Sequence, residues 1–216
     1  LYASPLPSSM CHNDSSQDCP CDPEPLAMIP ATQLEDLPIR VGLGQFQVPT
    51  DSLLAYIKQC GVDDIQMNTA TLPGDSRWEY EDLAALRERV NAAGLRLMSL
   101  ENVPVTFYDQ IMLGLPGRDK QIDHMVATVT NMGRAGIPIL GYHFMPTGVW
   151  RTSRTQPVRG GALATRYEHQ LALDAPDDRY QHKNSTAHPD RDYTVDDMWE
   201  NYCWYLERIL PACEAA

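Results

Sequence analysis

Two short apolar runs end in groups able to move protons. Leu95–Leu100 ends in Glu101-Asn102, and Ile137–Tyr142 ends in His143. A glutamate can act as a base or accept a hydrogen bond from a hydroxyl, and an imidazole titrates near neutrality. Glu101 and His143 are therefore the candidate catalytic residues, with Asn102 as a candidate substrate contact. Guanidinium groups form a second set. Arg118 opens a helical stretch, where the positive end of the helix would strengthen its grip on a carboxylate. Arg151, Arg154 and Arg159 fall close together beside Trp150 and Gly160-Gly161. Such a cluster in an acidic chain reads as an anion clamp, with Arg151 and Arg159 as candidate substrate contacts. His124, His169, His182 and His188 lie in charged or polar sequence and read as surface residues.

The elements that must position these groups alternate. Strands are expected at Ile39–Leu43, Asp64–Met67, Leu95–Leu100 and Ile137–Tyr142. Between them, apolar residues recur at helical spacing: Leu53, Leu54 and Ile57; Leu83, Leu86 and Val90; Ile122, Met125, Val129 and Met132. Thr194 with Asp197 makes a capping pattern that opens a last helix to Ala216. Strands alternating with helices imply a parallel sheet with right-handed crossovers. The expected fold class is α/β, of (β/α)8 TIM-barrel type, with about the first four β/α units in this chain. Glu101, Asn102 and His143 then sit at the carboxyl edge of the sheet, where such folds bind ligands. Four units without the other four leave two strand edges unpaired, which implies a homo-oligomer or pairing through the open sheet edges, a sheet opened into a flatter layer, or an unstable fragment.

Residues 1–37 are rich in Pro, Ser, Asp and Cys and lack any period, which predicts a poorly ordered tail. Cys11, Cys19 and Cys21 do not match the usual spacing of zinc ligands. The partial barrel domain is expected over residues 38–216, with a long insertion at about 144–193. Cys60, Cys203 and Cys213 fall in or beside helices and are expected to be reduced and mostly packed. The net charge is -12 over 216 residues, which argues against nucleic acid or an anionic membrane as partner. No apolar run approaches the ~20 residues of a membrane span, and the first residues lack the pattern of a secretory leader. The expected setting is cytoplasmic.

Three segments carry a family resemblance: LENVPV (Leu100–Val105), LGLPGRD (Leu113–Asp119) and GIPILGYHFMP (Gly136–Pro146). In this order and spacing they resemble the mannonate dehydratase family, over roughly Ile39–Ala216. The resemblance implies a xylose-isomerase-like barrel and a metal-dependent lyase of glucuronate catabolism. Such an enzyme removes water from D-mannonate to leave 2-dehydro-3-deoxy-D-gluconate. It also implies a small anionic sugar-acid substrate and Mn(II) or Fe(II). The family's metal ligands find no match in this sequence, so no metal ligand is assigned. A sugar isomerase or epimerase of the same barrel type, or a non-catalytic fragment, are the alternative readings.

Overall fold

Each helical stripe packs its apolar side chains against a strand pair, and together they build one sheet. The structure is a computed structural model that describes residues 39–146, 151–174 and 192–216. Strands β1 (Gly42–Phe46), β2 (Asp64–Asn68), β3 (Arg96–Glu101) and β4 (Ile139–Gly141) pair in chain order, all parallel. Helices α1 (Asp51–Gln59) and α2 (Tyr80–Ala92) form the first two crossovers. The third crossover holds a 3-10 turn (Val105–Phe107), the short α3 (Asp109–Leu113) and the long α4 (Arg118–Arg134). After β4 come an antiparallel hairpin, β5 (Ser153–Pro157) and β6 (Leu163–Arg166), the short α5 (His169–Leu173) and the last helix α6 (Val195–Ala215). This is the expected α/β class, with a parallel sheet.

Local chemistry sets the helix starts. The Thr50 hydroxyl accepts from Leu53 N at 3.3 Å, and Thr194 and Asp197 close a reciprocal capping box at the head of α6. Each such cap is worth about 1 kcal/mol. The core lies between sheet and helices, with Ile65, Met67, Leu97 and Leu100 from the strands meeting Leu83, Val90, Met125 and Met132. Trp78 is fully buried from a loop, edge-on to Phe107 at 6.0 Å. Its carbonyl accepts from the Asn131 amide at 3.0 Å. A residue between elements has no period, so sequence pattern gave no sign of this anchor.

One glycine is required by both backbone and space. Gly114 ends α3 at φ 61°, and a Cβ there would lie 2.5 Å from Asn201 Oδ1. Asn201 is buried in α6 and donates to the Met112 carbonyl at 3.1 Å, tying α6 to α3. Gly114→Ala is expected to cost about 2 kcal/mol, since the substitution is strained and displaces a buried hydrogen bond. Chemical denaturation measures this.

The structure departs from the expected elements in four places. β1 starts at Gly42 rather than Ile39, leaving Ile39 and Val41 exposed. Pairing with β2 selects the glycines instead, because a Cβ on Gly44 would meet the Gln66 carbonyl at 3.0 Å. β4 is only Ile139–Gly141, as Pro138 cannot donate to a ladder. The insertion is not structureless, since residues 151–174 form the hairpin and α5. Its turn falls at Arg159–Gly161, where Gly160 and Gly161 adopt positive φ. Cys60, Cys203 and Cys213 are free thiols and exposed rather than packed. The expected tail, the rest of the insertion, His182 and His188 lie outside the described residues. Among the described residues, no helix is long and apolar enough to cross a membrane.

Candidate functional site

Glu101 closes β3, and its position follows from the ladder: β2 brings Asn68 beside it and β4 brings Gly141. In a parallel sheet such neighbours share a face. The Glu101 carboxylate is the hub of a polar network built from three strand ends. Its Oε2 accepts from Gln66 Nε2 at 2.6 Å and from the Gln45 side-chain amide. Gln45 Oε1 in turn accepts from Asn68 Nδ2 at 2.8 Å. Asn68 Oδ1 accepts from the Thr69 hydroxyl at 3.0 Å and from Asn102 Nδ2 at 3.4 Å. Four carboxamides, one hydroxyl and one carboxylate thus stand together at the carboxyl edge.

The backbone beneath this network is strained. Gln45, Thr69 and Asn102 have φ of 74°, 45° and 63°, and among the described residues they are the non-glycine residues at positive φ. Thr69 and Asn102 sit just beyond the ends of β2 and β3, and Gln45 sits in the irregular last stretch of β1, one residue before its end. A β-branched residue such as Thr69 is unusual there, and each such residue costs of order 1–3 kcal/mol. The strain is held in place by ladder hydrogen bonds: Thr69 N to the Glu101 carbonyl and Asn102 N to the Gly141 carbonyl, both at 2.7 Å.

His143 lies two residues beyond Gly141, half-buried, with its ring edge-on to Tyr108 at 6.2 Å. Tyr108 is 1% exposed, and its hydroxyl has no hydrogen-bond partner among the described residues. Burial pushes its pKa up to about 12. The folded state then holds the Tyr108 proton more tightly than the unfolded chain, whose phenol titrates near 10. Stability from this group is complete below pH ~10 and is lost as pH rises toward 12. Tyr142 and Tyr205, also raised by burial, act in the same direction. Tyr108→Phe removes an orphaned polar group, so it is expected to be neutral or stabilising at pH 7 by up to about 1 kcal/mol. It is also expected to lessen the loss at high pH. Thermal melts of both proteins at pH 7 and pH 11 read this out.

The structure brings Glu101 and Asn102 together and places His143 after the adjoining strand. The arginines sit elsewhere. Arg118 stacks on the Trp204 ring of α6, its guanidinium carbon 4.4 Å from the centroid. Arg151 donates to the Thr165 hydroxyl at 3.1 Å within the hairpin, and Arg159 is exposed at the hairpin turn. Gln45, Gln66, Asn68 and Thr69 were not expected as site residues. The signal for three of them was position alone, since Gln45, Asn68 and Thr69 follow apolar runs as Glu101 does. A cleft of about 530 Å³ runs along the sheet from Gln45 and Gln66 of this network, past Ser99 and Met98, to Arg40 and Asp64 at the amino edge. A larger one of about 690 Å³ lies at the opposite, amino edge, between Arg87, Arg96 and Gly136. It contains none of the network.

Similarity to known proteins shows the family. The family model described as D-mannonate dehydratase (UxuA) matches residues 46–216, and the chain belongs to that family. A mannonate dehydratase of Thermotoga maritima is 29% identical over 184 residues, covering 74% of this chain and 51% of the relative. One from Streptococcus agalactiae is 32% identical over 158 residues, covering 67% and 45% respectively. The chain therefore spans about half the length of the curated relatives it matches. The crystal structure of mannonate dehydratase from Streptococcus suis serotype 2 superposes with a TM-score of 0.64 at 23% identity, covering 82% of this chain and 51% of that one. That likeness is one of fold.

Proposed function

We propose that this chain supplies the carboxyl-edge, substrate-facing part of a D-mannonate dehydratase. The observation that carries the reading is the Glu101 network at the carboxyl edge, in a chain of the mannonate dehydratase family. D-Mannonate is a polyhydroxylated carboxylate, and the network offers it amide donors, amide acceptors and a carboxylate within one surface. Dehydration removes the proton at C2, breaks the C3–O bond as water leaves, and ends as the 2-keto acid. Glu101 and His143 are the two groups here with suitable proton chemistry, one to accept a proton and one to hydrogen-bond the departing hydroxyl. Asn102 and Asn68 orient hydroxyls beside them, and the fixed amides hold the Glu101 carboxylate in one direction.

Mn(II) or Fe(II) is the metal that membership in this family implies. Among the described residues, no group of three His, Cys, Asp or Glu side chains is placed to hold an ion. These residues do not fit a metal centre. The proposal includes a cytoplasmic place in glucuronate catabolism, which family membership supports.

The test is formation of the 2-keto acid from D-mannonate with Mn(II). The purified chain is assayed alone and mixed with the C-terminal half of the Thermotoga maritima relative, with the whole relative as positive control. Keto acid formed by the mixture is the expected result. None in either sample, with an active control, would refute the reading.

A further inference from the structure

The hairpin and the head of the last helix are two unsatisfied surfaces of matching chemistry. The segment from Arg151 to Arg166 holds four arginines and no acid, in a chain of net charge -12. Among the described residues, Arg154 and Arg159 pair with no carboxylate, and both are exposed. Apolar side chains stand out beside them: Val158, Leu163 and Tyr167 are 45%, 63% and 52% exposed. Among the described residues, the hydrogen bonds that fix the hairpin run within residues 151–174. A two-stranded ribbon is at best marginally stable by itself. A ribbon with large exposed apolar residues gains from a covering surface.

The first turns of α6 present the complement. Val195 and Trp199 are 72% and 61% exposed, one helical turn apart. Asp196 and Glu200 stand at the same spacing beside them, exposed and without a basic partner among the described residues. Residues four apart share one helix face, so this face is an apolar stripe with an acidic flank. Among the described residues, nothing in one copy of the chain covers either surface. A second copy of this chain carries the partner for each.

We propose that the hairpin Ser153–Arg166 of one copy docks on the head of α6 of a second copy. Leu163 and Tyr167 cover Val195 and Trp199, while Arg154 and Arg159 face Asp196 and Glu200. Charge pairs of this kind chiefly set partner choice and register, and the apolar residues carry the affinity. The contact is independent of the Glu101 network and of the reaction assigned to it.

Sedimentation of the 216-residue chain over a range of concentrations tests this, with tryptophan emission followed in parallel. The expected result is a concentration-dependent dimer or higher oligomer, with a blue shift as Trp199 is covered. Arg154→Glu with Arg159→Glu is expected to weaken association about tenfold or more. Adding Asp196→Arg and Glu200→Arg to that variant should restore it. All four positions are exposed, and melting curves check that each variant folds. A monomer at every concentration overturns the proposal. So does an oligomer whose mass ignores the hairpin reversal, as pairing through the open edges of β1 and β4 would give. So does a reversal that the helix substitutions fail to rescue.

Discussion

Asp64→Ala is expected to lower folding stability by about 3–5 kcal/mol, in the range for breaking a buried ion pair from one side. Asp64 opens β2 and is 7% exposed. Its Oδ2 lies 2.8 Å from Arg40 Nε, and its Oδ1 lies 2.7 Å from both Arg96 Nε and Nη2. One carboxylate therefore ties the approach to β1 to the start of β3, across the strand between them. Removing it leaves two guanidinium groups beside each other in a low-dielectric site, and their repulsion adds to the lost attraction. Asp64→Asn keeps the shape and loses the charge, so it should also destabilise, though less. Urea denaturation of the three proteins measures the series. The clamp sits at the amino edge, opposite Glu101. Its loss should therefore act on stability and leave the chemistry of the carboxyl edge unchanged in kind.

Glu101→Gln is expected to show the opposite division. The dehydration rate should fall about 100-fold or more, the usual scale for loss of a proton-transfer group. The thermal midpoint should move little, because the glutamine oxygen can still accept from the Gln45 and Gln66 amides. Glu101→Ala removes the acceptor as well, leaving both amides and the strained strand ends without their anchor. It should lose activity and some stability together. A Glu101→Gln protein that keeps its rate within a few-fold would remove Glu101 from the chemistry, and the network would then be structural. The measurement is made in the complemented D-mannonate assay, with each variant's melting curve beside it.

Sequence made the sheet order and the two strand ends readable because they rest on short-range rules. A periodic helix must bury its stripe, and a strand after each helix must run parallel to the last. That logic puts Glu101, Asn102 and His143 at one edge of the sheet. It did not show that Glu101 would be held by Gln45 and Gln66, because those contacts join residues 56 and 35 positions away in the chain. It also missed the positive φ at Gln45 and Thr69, which no residue preference announces. The stacking of Arg118 was hidden for a related reason: α6, far along the chain, brings Trp204 against it. The hairpin strands SRTQP and LATR are too polar to register as strands.

The central claim is that the carboxyl-edge network receives the sugar acid. Its most direct test is a titration of the isotopically labelled chain with D-mannonate, following the side-chain amide signals of Gln45, Gln66, Asn68 and Asn102 by NMR. These four should shift together and saturably, and the response should be lost or reduced in Glu101→Gln. If they stay still while signals from Asn91 and the amino-edge cavity move, or if no signal moves at all, the claim is contradicted.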